Sequence, residues 1–296
     1  MGNIKAHIAL LLCNIIYALS YDISKHVLAT HIPPFAFILI RVTGALMLFW
    51  LLYLILPKEK ISRKDVPLLV ACGIFGVAAN QLLFFEGLAN TFSTHASAIM
   101  VGTPIIVLIL AVFILKERIN AIKILGVGLG LAGALAIIFS KNASGTSSTY
   151  GDMMIFLNAS SYGIYLTIAK PLMSKYNPLT VIRWAFTFGW IFVIPFGISQ
   201  FGDINPDWDF GIYWRVGFIV LFTTFFTYLF TVYGLNKVSP TMVSAYIYLQ
   251  PILATFIAIS TGQEKLSLPI IFYTLIIFIG VFLVSYQPQL KKRVSV

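Results

Sequence analysis

Apolar residues run along this chain in blocks of about 20, the length an α-helix needs to cross roughly 30 Å of hydrocarbon. The blocks hold few charges and are separated by short stretches rich in proline, asparagine, glycine, lysine and arginine. The pattern predicts ten membrane-spanning helices, over 5–28, 33–56, 66–89, 93–115, 119–139, 151–172, 178–200, 213–236, 239–261 and 268–286. Pro33-Pro34, Asn177-Pro178 and Ser239-Pro240 suit helix starts, because a proline at the first helical position gives up no hydrogen bond. Residues 8–19 imitate the apolar core of a secretion signal. Tyr21-Asp22-Ile23-Ser24-Lys25 follows with no small-residue cleavage site, so a retained first span is expected.

The pattern then repeats, 147 residues on. With Gly87-Leu88 set on Gly234-Leu235, Ser97-Ala98 falls on Ser244-Ala245, Pro104-Ile105 on Pro251-Ile252, Glu117 on Glu264 and Gly133 on Gly280, without a gap. Five spans per copy is an odd number, so the second copy enters the membrane from the opposite side. The predicted fold is an all-α polytopic membrane protein of two inverted-topology five-helix repeats, 1–140 and 150–290, with a basic tail at 291–296. Inverted repeats of this kind build carriers that open alternately to either face.

Composition agrees: 59% of the 296 residues are apolar, only 10% are charged, and the mean hydropathy is +0.93. A β-barrel would instead show ten-residue alternating segments. The net charge of +10 invites a nucleic-acid partner, but the basic residues lie in short loops between spans. One set of span ends holds Lys5, Lys58, Lys60, Arg63, Lys64, Lys116, Arg118, Lys123, Lys170, Lys175, Lys237, Lys291, Lys292 and Arg293. The other holds Lys25, Lys141, Arg215 and Lys265, beside the acidic Asp203, Asp207 and Asp209. The bias puts both termini in the cytoplasm, with the protein in the cytoplasmic (inner) membrane. Cys13 and Cys72 sit inside spans and read as small buried apolar residues.

Few motifs carry chemistry. Gly128-x-Gly130-x-x-Gly133 matches a dinucleotide fingerprint, but it lies inside an apolar span without a preceding strand. Close helix packing along Gly126-x-x-x-Gly130 explains it better. Asn142-Ala143-Ser144 fits a glycosylation sequon, a common chance match in a short polar loop. His26, His31 and His95 have no metal-ligand spacing, and no nucleophile or carboxylate dyad stands out. No cofactor, metal, nucleic acid or enzymatic activity is expected. The implied partners are a small-molecule substrate and the lipid bilayer, the oligomeric state being left open and a monomer compatible.

Polar groups inside spans are costly, about 2.5–3.5 kcal/mol for a charge at mid-membrane, and therefore informative. Asp22, Lys25, Arg41 and Glu86 fall in the outer parts of the first three spans. They read either as a structural charge network or as gate or coupling residues. Nearer the middle lie Asn14, Tyr17, Asn80, Gln81, Asn158, Tyr162 and Tyr165, with Trp184, Tyr246, Tyr248 and Gln250. Each alone reads as interhelical glue; together they suit a midplane cavity for a small, partly apolar solute. Pro104 and Pro251, at matching places in spans four and nine, are candidate helix bends beside it.

Several of these residues also resemble those of a family. They are Lys25, Pro34 and Arg41, the run from Phe85-Glu86-Gly87-Leu88 through His95-Ala96-Ser97-Ala98 to Pro104, and Lys116-Glu117-Arg118. The second copy adds Tyr233-Gly234-Leu235, Ser239-Pro240, Pro251 and Glu264. In order, spacing and duplication the chain is similar to the EamA type of the drug/metabolite transporter superfamily over roughly 8–286. The resemblance implies a carrier for small metabolites, often an exporter of amino acids or related compounds, working by alternating access. Glu86 departs from the small or aromatic residue that many relatives carry there. A sugar-phosphate or nucleotide-sugar exchanger would call for more basic residues than Arg41 and Arg183 inside the spans. An intramembrane lipid-modifying enzyme would call for a tighter cluster than Asp22, His26, Glu86 and His95. Reporter fusions at 58–64 and at 142–149 should report opposite faces of the membrane; the same face for both would overturn the ten-span topology.

Overall fold

The computed structural model describes residues 2–54, 59–91, 96, 99–117, 120–139, 148–260 and 268–285. These form ten helical rods: α1 (Gly2–Thr30), α2 (Pro34–Leu54), α3 (Arg63–Asn90), α4 (Ile99–Leu115), α5 (Ala121–Phe139), α6 (Thr149–Lys175), α7 (Pro178–Ser199), α8 (Phe210–Lys237), α9 (240–260) and α10 (Leu268–Ser285). Helices are the answer to hydrocarbon, since a backbone there must bond to itself. Their starts are chemically marked. Asn177 Oδ1 accepts from the Leu179 N–H at 2.9 Å and Asp209 Oδ1 from Ile212 at 2.8 Å, satisfying amide donors at the first turns of α7 and α8. The sequon at 142–144 with the rest of the loop at 141–147, Glu264 and the tail at 291–296 lie outside the described residues.

Five rods, α2, α3, α7, α8 and most of α9, are long and apolar enough to cross a membrane by length and composition, and α1, α4, α5 and α10 carry shorter apolar stretches. The polar one is α6. Its Asn158, Ser161 and Thr167 are buried, turned to neighbouring helices rather than to lipid.

Contacts fix the inversion. Gly151, at the start of α6, packs against Asn90 at the end of α3, whereas Lys175 at the end of α6 pairs with Asp65 at the start of α3, 2.8 Å apart. Successive spans alternate, so α3 starts on the same face as α1 and α6 starts on the other. The second copy is upside down relative to the first. Packing obeys that symmetry: α2 lies on α7 and α5 on α10, while α3 on α6 mirrors α8 on α1. Two hydrogen bonds join positions 147 residues apart, Trp190 Nε1 to Thr43 Oγ1 at 2.9 Å and Gln81 Nε2 to Tyr228 Oη at 3.3 Å. Equivalent residues of the two copies meet there, which marks the pseudo-twofold axis.

Gly126, Gly130 and Gly133 of α5 serve packing. A Cβ on Gly280 of α10 would meet the Gly130 amide nitrogen at 2.6 Å and the Gly126 carbonyl at 2.7 Å, so the backbones touch where no side chain fits. Gly280→Val should therefore destabilise the protein by about 1–3 kcal/mol, read as a lower unfolding temperature in detergent. Gly128→Ala, where an added methyl meets nothing within 4 Å, should leave it unchanged. Equal effects from both would remove the packing argument.

A candidate substrate cavity between the repeats

Two local distortions shape the middle of the bundle. Within α3, Ile74–Ala78 forms a π-turn, and within α8 Ile219–Phe226 forms another at the equivalent place in the second copy. A wider turn releases backbone acceptors, and such bulges collect at functional sites. Here two carbonyls of the α3 turn accept from side chains of other helices. The Gly76 carbonyl accepts from Tyr228 Oη at 2.9 Å, and the Phe75 carbonyl accepts from Ser161 Oγ at 2.7 Å. In α8 the Thr224 hydroxyl donates five residues back, to Ile219 at 2.8 Å, and accepts from Arg41 Nε at 3.0 Å.

The second distortion is a pair of breaks. In α4 the helix is interrupted at Gly102, just before Pro104. In α9, Tyr246–Tyr248 tightens into a 3₁₀ turn between Pro240–Ala245 and Leu249–Ser260, just before Pro251. Each proline sits in the first turn after its break, where its missing N–H costs least. Position 102 plus the repeat offset is 249, so the two breaks nearly correspond.

Between these elements lies a cavity of about 110 Å³. Asn14, Tyr17, Asn80, Gln81, Tyr162 and Gln250 line it, as the sequence suggested, together with Asn158. Most of these residues stand near the middle of their helices, and both copies contribute. Gln250 Nε2 donates to Asn14 Oδ1 at 3.0 Å, and Asn14 Nδ2 to the Leu10 carbonyl at 2.8 Å. Asn158 Nδ2 donates to the Asn80 carbonyl at 2.5 Å. Since a carbonyl can only accept, that bond fixes which way the Asn158 amide points. Tyr228 spends its proton on Gly76, so its oxygen accepts from Gln81, which fixes the Gln81 amide too. Both amide oxygens, Gln81 Oε1 and Asn158 Oδ1, are left buried without a partner.

Arg41 also lines the cavity, 5% exposed. Besides its bond to Thr224 it lies 4.8 Å from the centre of the Phe85 ring. Glu86, set beside it as a gate or coupling candidate, does not line the cavity. Its carboxylate accepts from Asn90 at 3.2 Å and from Tyr150 at 3.4 Å, tying the end of α3 to the start of α6. The side chains of Asp22 and Lys25 lie outside the described residues.

Four residues proposed for the cavity stand elsewhere, for identifiable reasons. Tyr165 is fully buried, its ring against Gly76, and Tyr248 is fully buried, its ring against Gly130 of α5; each fills the notch that a glycine leaves. Trp184 borders a separate pocket with Arg183, and its ring stacks on Phe188. Tyr246 bonds His7 Nδ1 at 2.6 Å, toward the face where α1 begins. On that face Glu117 also pairs with Lys123 at 2.5 Å and accepts from Thr241 at 3.3 Å, while Lys170 caps the carbonyls of Leu235 and Val238. Together these bonds tie helix ends on the side of the N terminus. At the other end the cavity lining reaches Ser24, Leu88 and Met100.

Tyr228 was missed in the sequence, with Cys13, Thr223 and Thr231 of the same wall. The signal existed: Tyr228 is the repeat equivalent of Gln81. Tyr228→Phe should leave the Gly76 carbonyl and the Gln81 amide unpaired, at a cost of about 1–3 kcal/mol in stability. Thermal unfolding in detergent checks this, and an unchanged midpoint would deny the bond its part in joining the repeats.

Comparison with known proteins places the chain among membrane carriers. The model of the EamA-like transporter family matches residues 4–139 and again 149–286. An uncharacterized transporter of Archaeoglobus fulgidus is 28% identical over 253 residues, covering 86% of this chain and 89% of that one. The uncharacterized transporter YoaV of Bacillus subtilis is 25% identical over 270 residues, 88% of this chain and 90% of its own. A probable terminal-alkyne amino-acid exporter of Streptantibioticus cattleyicolor is 29% identical over 133 residues, 45% of this chain and 44% of that one. One crystal structure superimposes with a TM-score of 0.77 over 96% of this chain and 98% of its own, at 15% identity, which speaks to the fold alone.

Proposed function

The chain belongs to the EamA-like transporter family, and from that premise we propose that it is a secondary transporter which exports amino acids or closely related small metabolites. It acts in the cytoplasmic membrane with both termini inside, the orientation that the loop charges favour. The partial relative named as an amino-acid exporter points the same way.

One observation carries the substrate reading. The same cavity holds a buried guanidinium, Arg41, and two amide oxygens, Gln81 Oε1 and Asn158 Oδ1, whose orientation is fixed and whose acceptor capacity is unused. A buried acceptor without a donor costs about 1–3 kcal/mol, so a solute that brings N–H groups is favoured there. A guanidinium takes a carboxylate through paired, charge-assisted bonds. An amino acid offers both groups. A sugar-phosphate exchanger would call for several cations around the solute, whereas Arg41 is the one cation lining the cavity among the described residues.

Alternating access follows from the symmetry. The bonds from His7 to Tyr246, from Thr241 to Glu117 and from Lys170 to the end of α8 support a state closed on the cytoplasmic side. Exchanging the roles of the two copies exchanges which side is sealed. The breaks before Pro104 and Pro251 are where α4 and α9 bend as that happens, and Glu86 serves as an outer tie between α3 and α6. The solute then meets the same polar groups from either side.

Liposomes holding the purified protein and loaded with mixed labelled amino acids test the reading. Release should depend on the protein and should be lost for the carboxamide analogues of whichever amino acids move. Arg41→Gln should slow it on the order of 10- to 100-fold, the worth of a charged hydrogen bond of about 1.5–3 kcal/mol. Equal movement of acids and carboxamides would reject the role of Arg41, and no movement of any amino acid would reject the substrate class.

A further inference from the structure

A second buried arginine has no part in that cavity. Arg183 is 2% exposed, and its Nε and Nη1 meet no acceptor. It lies five residues into α7, so about 8 Å below the start of that helix at 1.5 Å per residue. The guanidinium carbon sits 3.3 Å from the centre of the Tyr53 ring, 4.6 Å from Trp50 and 5.7 Å from Trp184. Aromatic faces attract a cation but offer its N–H groups only weak π acceptors in place of oxygen. The arginine is thus caged while its donors stay unspent.

These rings, with Phe188 and Glu59, wall a pocket of about 310 Å³, a volume within the small-ligand range of roughly 300–1,000 Å³. The Glu59 carboxylate is held at its rim by the Asn177 N–H, at 3.0 and 3.4 Å, and forms no ion pair with Arg183. One pocket therefore presents a cation and an anion kept apart from each other. That arrangement suits a zwitterion whose charges are separated by a short spacer.

Position selects the source of the zwitterion. The helix faces beside the pocket are apolar and outward: Met47 and Leu51 are each 60% exposed, Leu54 is 74% and Ile191 52%. Those side chains face acyl chains. Trp50 and Trp184 stand near helix ends, the level where tryptophan meets lipid headgroups. Basic pockets between helices at this depth take lipid phosphates. We propose that this pocket binds the headgroup of a phosphatidylethanolamine-type lipid, with its phosphodiester on Arg183 and its ammonium against Glu59 and the Trp50 ring.

The intact protein, reconstituted in equal amounts of phosphatidylethanolamine and phosphatidylglycerol and then taken into detergent, gives the test by native mass spectrometry of the lipid it retains. The wild type should keep phosphatidylethanolamine in preference. Arg183→Gln should lower retained phospholipid about tenfold, the equivalent of one charged contact, and Arg183→Lys should restore part of it. Glu59→Gln should keep phospholipid but lose the preference, because phosphatidylglycerol has the phosphate without the ammonium. Unfolding temperatures of all three variants separate lost binding from lost fold. No preference in the wild type, or the same preference in Glu59→Gln, overturns the proposal. So does displacement of the lipid by soluble phosphoethanolamine or inorganic phosphate, which would make the pocket a site for a free phosphate.

Discussion

The Tyr228 hydroxyl, giving its proton to the Gly76 carbonyl and accepting one from the Gln81 amide, ties the repeats together inside the membrane. Water is not available there to replace a missing partner, so each polar group must be answered by another helix. The Gly76 carbonyl that takes this bond lies within the π-turn of α3. From this bond follow the link between α8 and α3, the fixed direction of the Gln81 amide and the unused oxygen it leaves on the cavity wall. The distorted turns and the polar wall are one construction.

Packing elsewhere isolates that construction. Helices α5 and α10 meet through glycines, backbone on backbone, while Tyr165 and Tyr248 fill the notches beside Gly76 and Gly130. Such contacts leave little room for small adjustments, since dense interiors resist gradual deformation. The regular ladder is interrupted at other places, namely the breaks in α4 and α9. The bonds from His7, Glu117 and Lys170 on the side of the N terminus are polar, and they involve the ends of helices rather than their packed middles.

Span number and the inverted repeat were legible in the sequence, because helix length and loop composition answer to the thickness of the bilayer and the duplicated residues keep one offset. Helix starts at Pro34, Pro178 and Pro240 were legible for the same chemical reason. The π-turns were not. An extra residue in one turn leaves no mark in an apolar stretch such as Ile74-Phe75-Gly76-Val77-Ala78, whose sides are all compatible with lipid or core. Tyrosine was the other obstacle. Tyr162 and Tyr165 are alike in sequence, yet one lines the cavity and the other fills a notch opposite a glycine, a difference set by which residue faces it on the next helix. Trp184 likewise went with its neighbour Arg183, whose burial draws aromatic rings around it.

Residues that meet on the pseudo-twofold axis have a history written in their asymmetry. Were the two halves separate identical chains, position 81 would face a second position 81 placed where 228 now stands, Gln against Gln or Tyr against Tyr. The present pair joins unlike residues, as does the pair of Thr43 and Trp190. A single covalent chain with two unlike halves lets the two sides of such an axis differ. Fusion thereby allowed the wall of the cavity to become chemically one-sided, with the cation Arg41 contributed by the first copy and position 188, its repeat equivalent, occupied by Phe188. A solute held there meets an environment with a direction, although the scaffold around it has none.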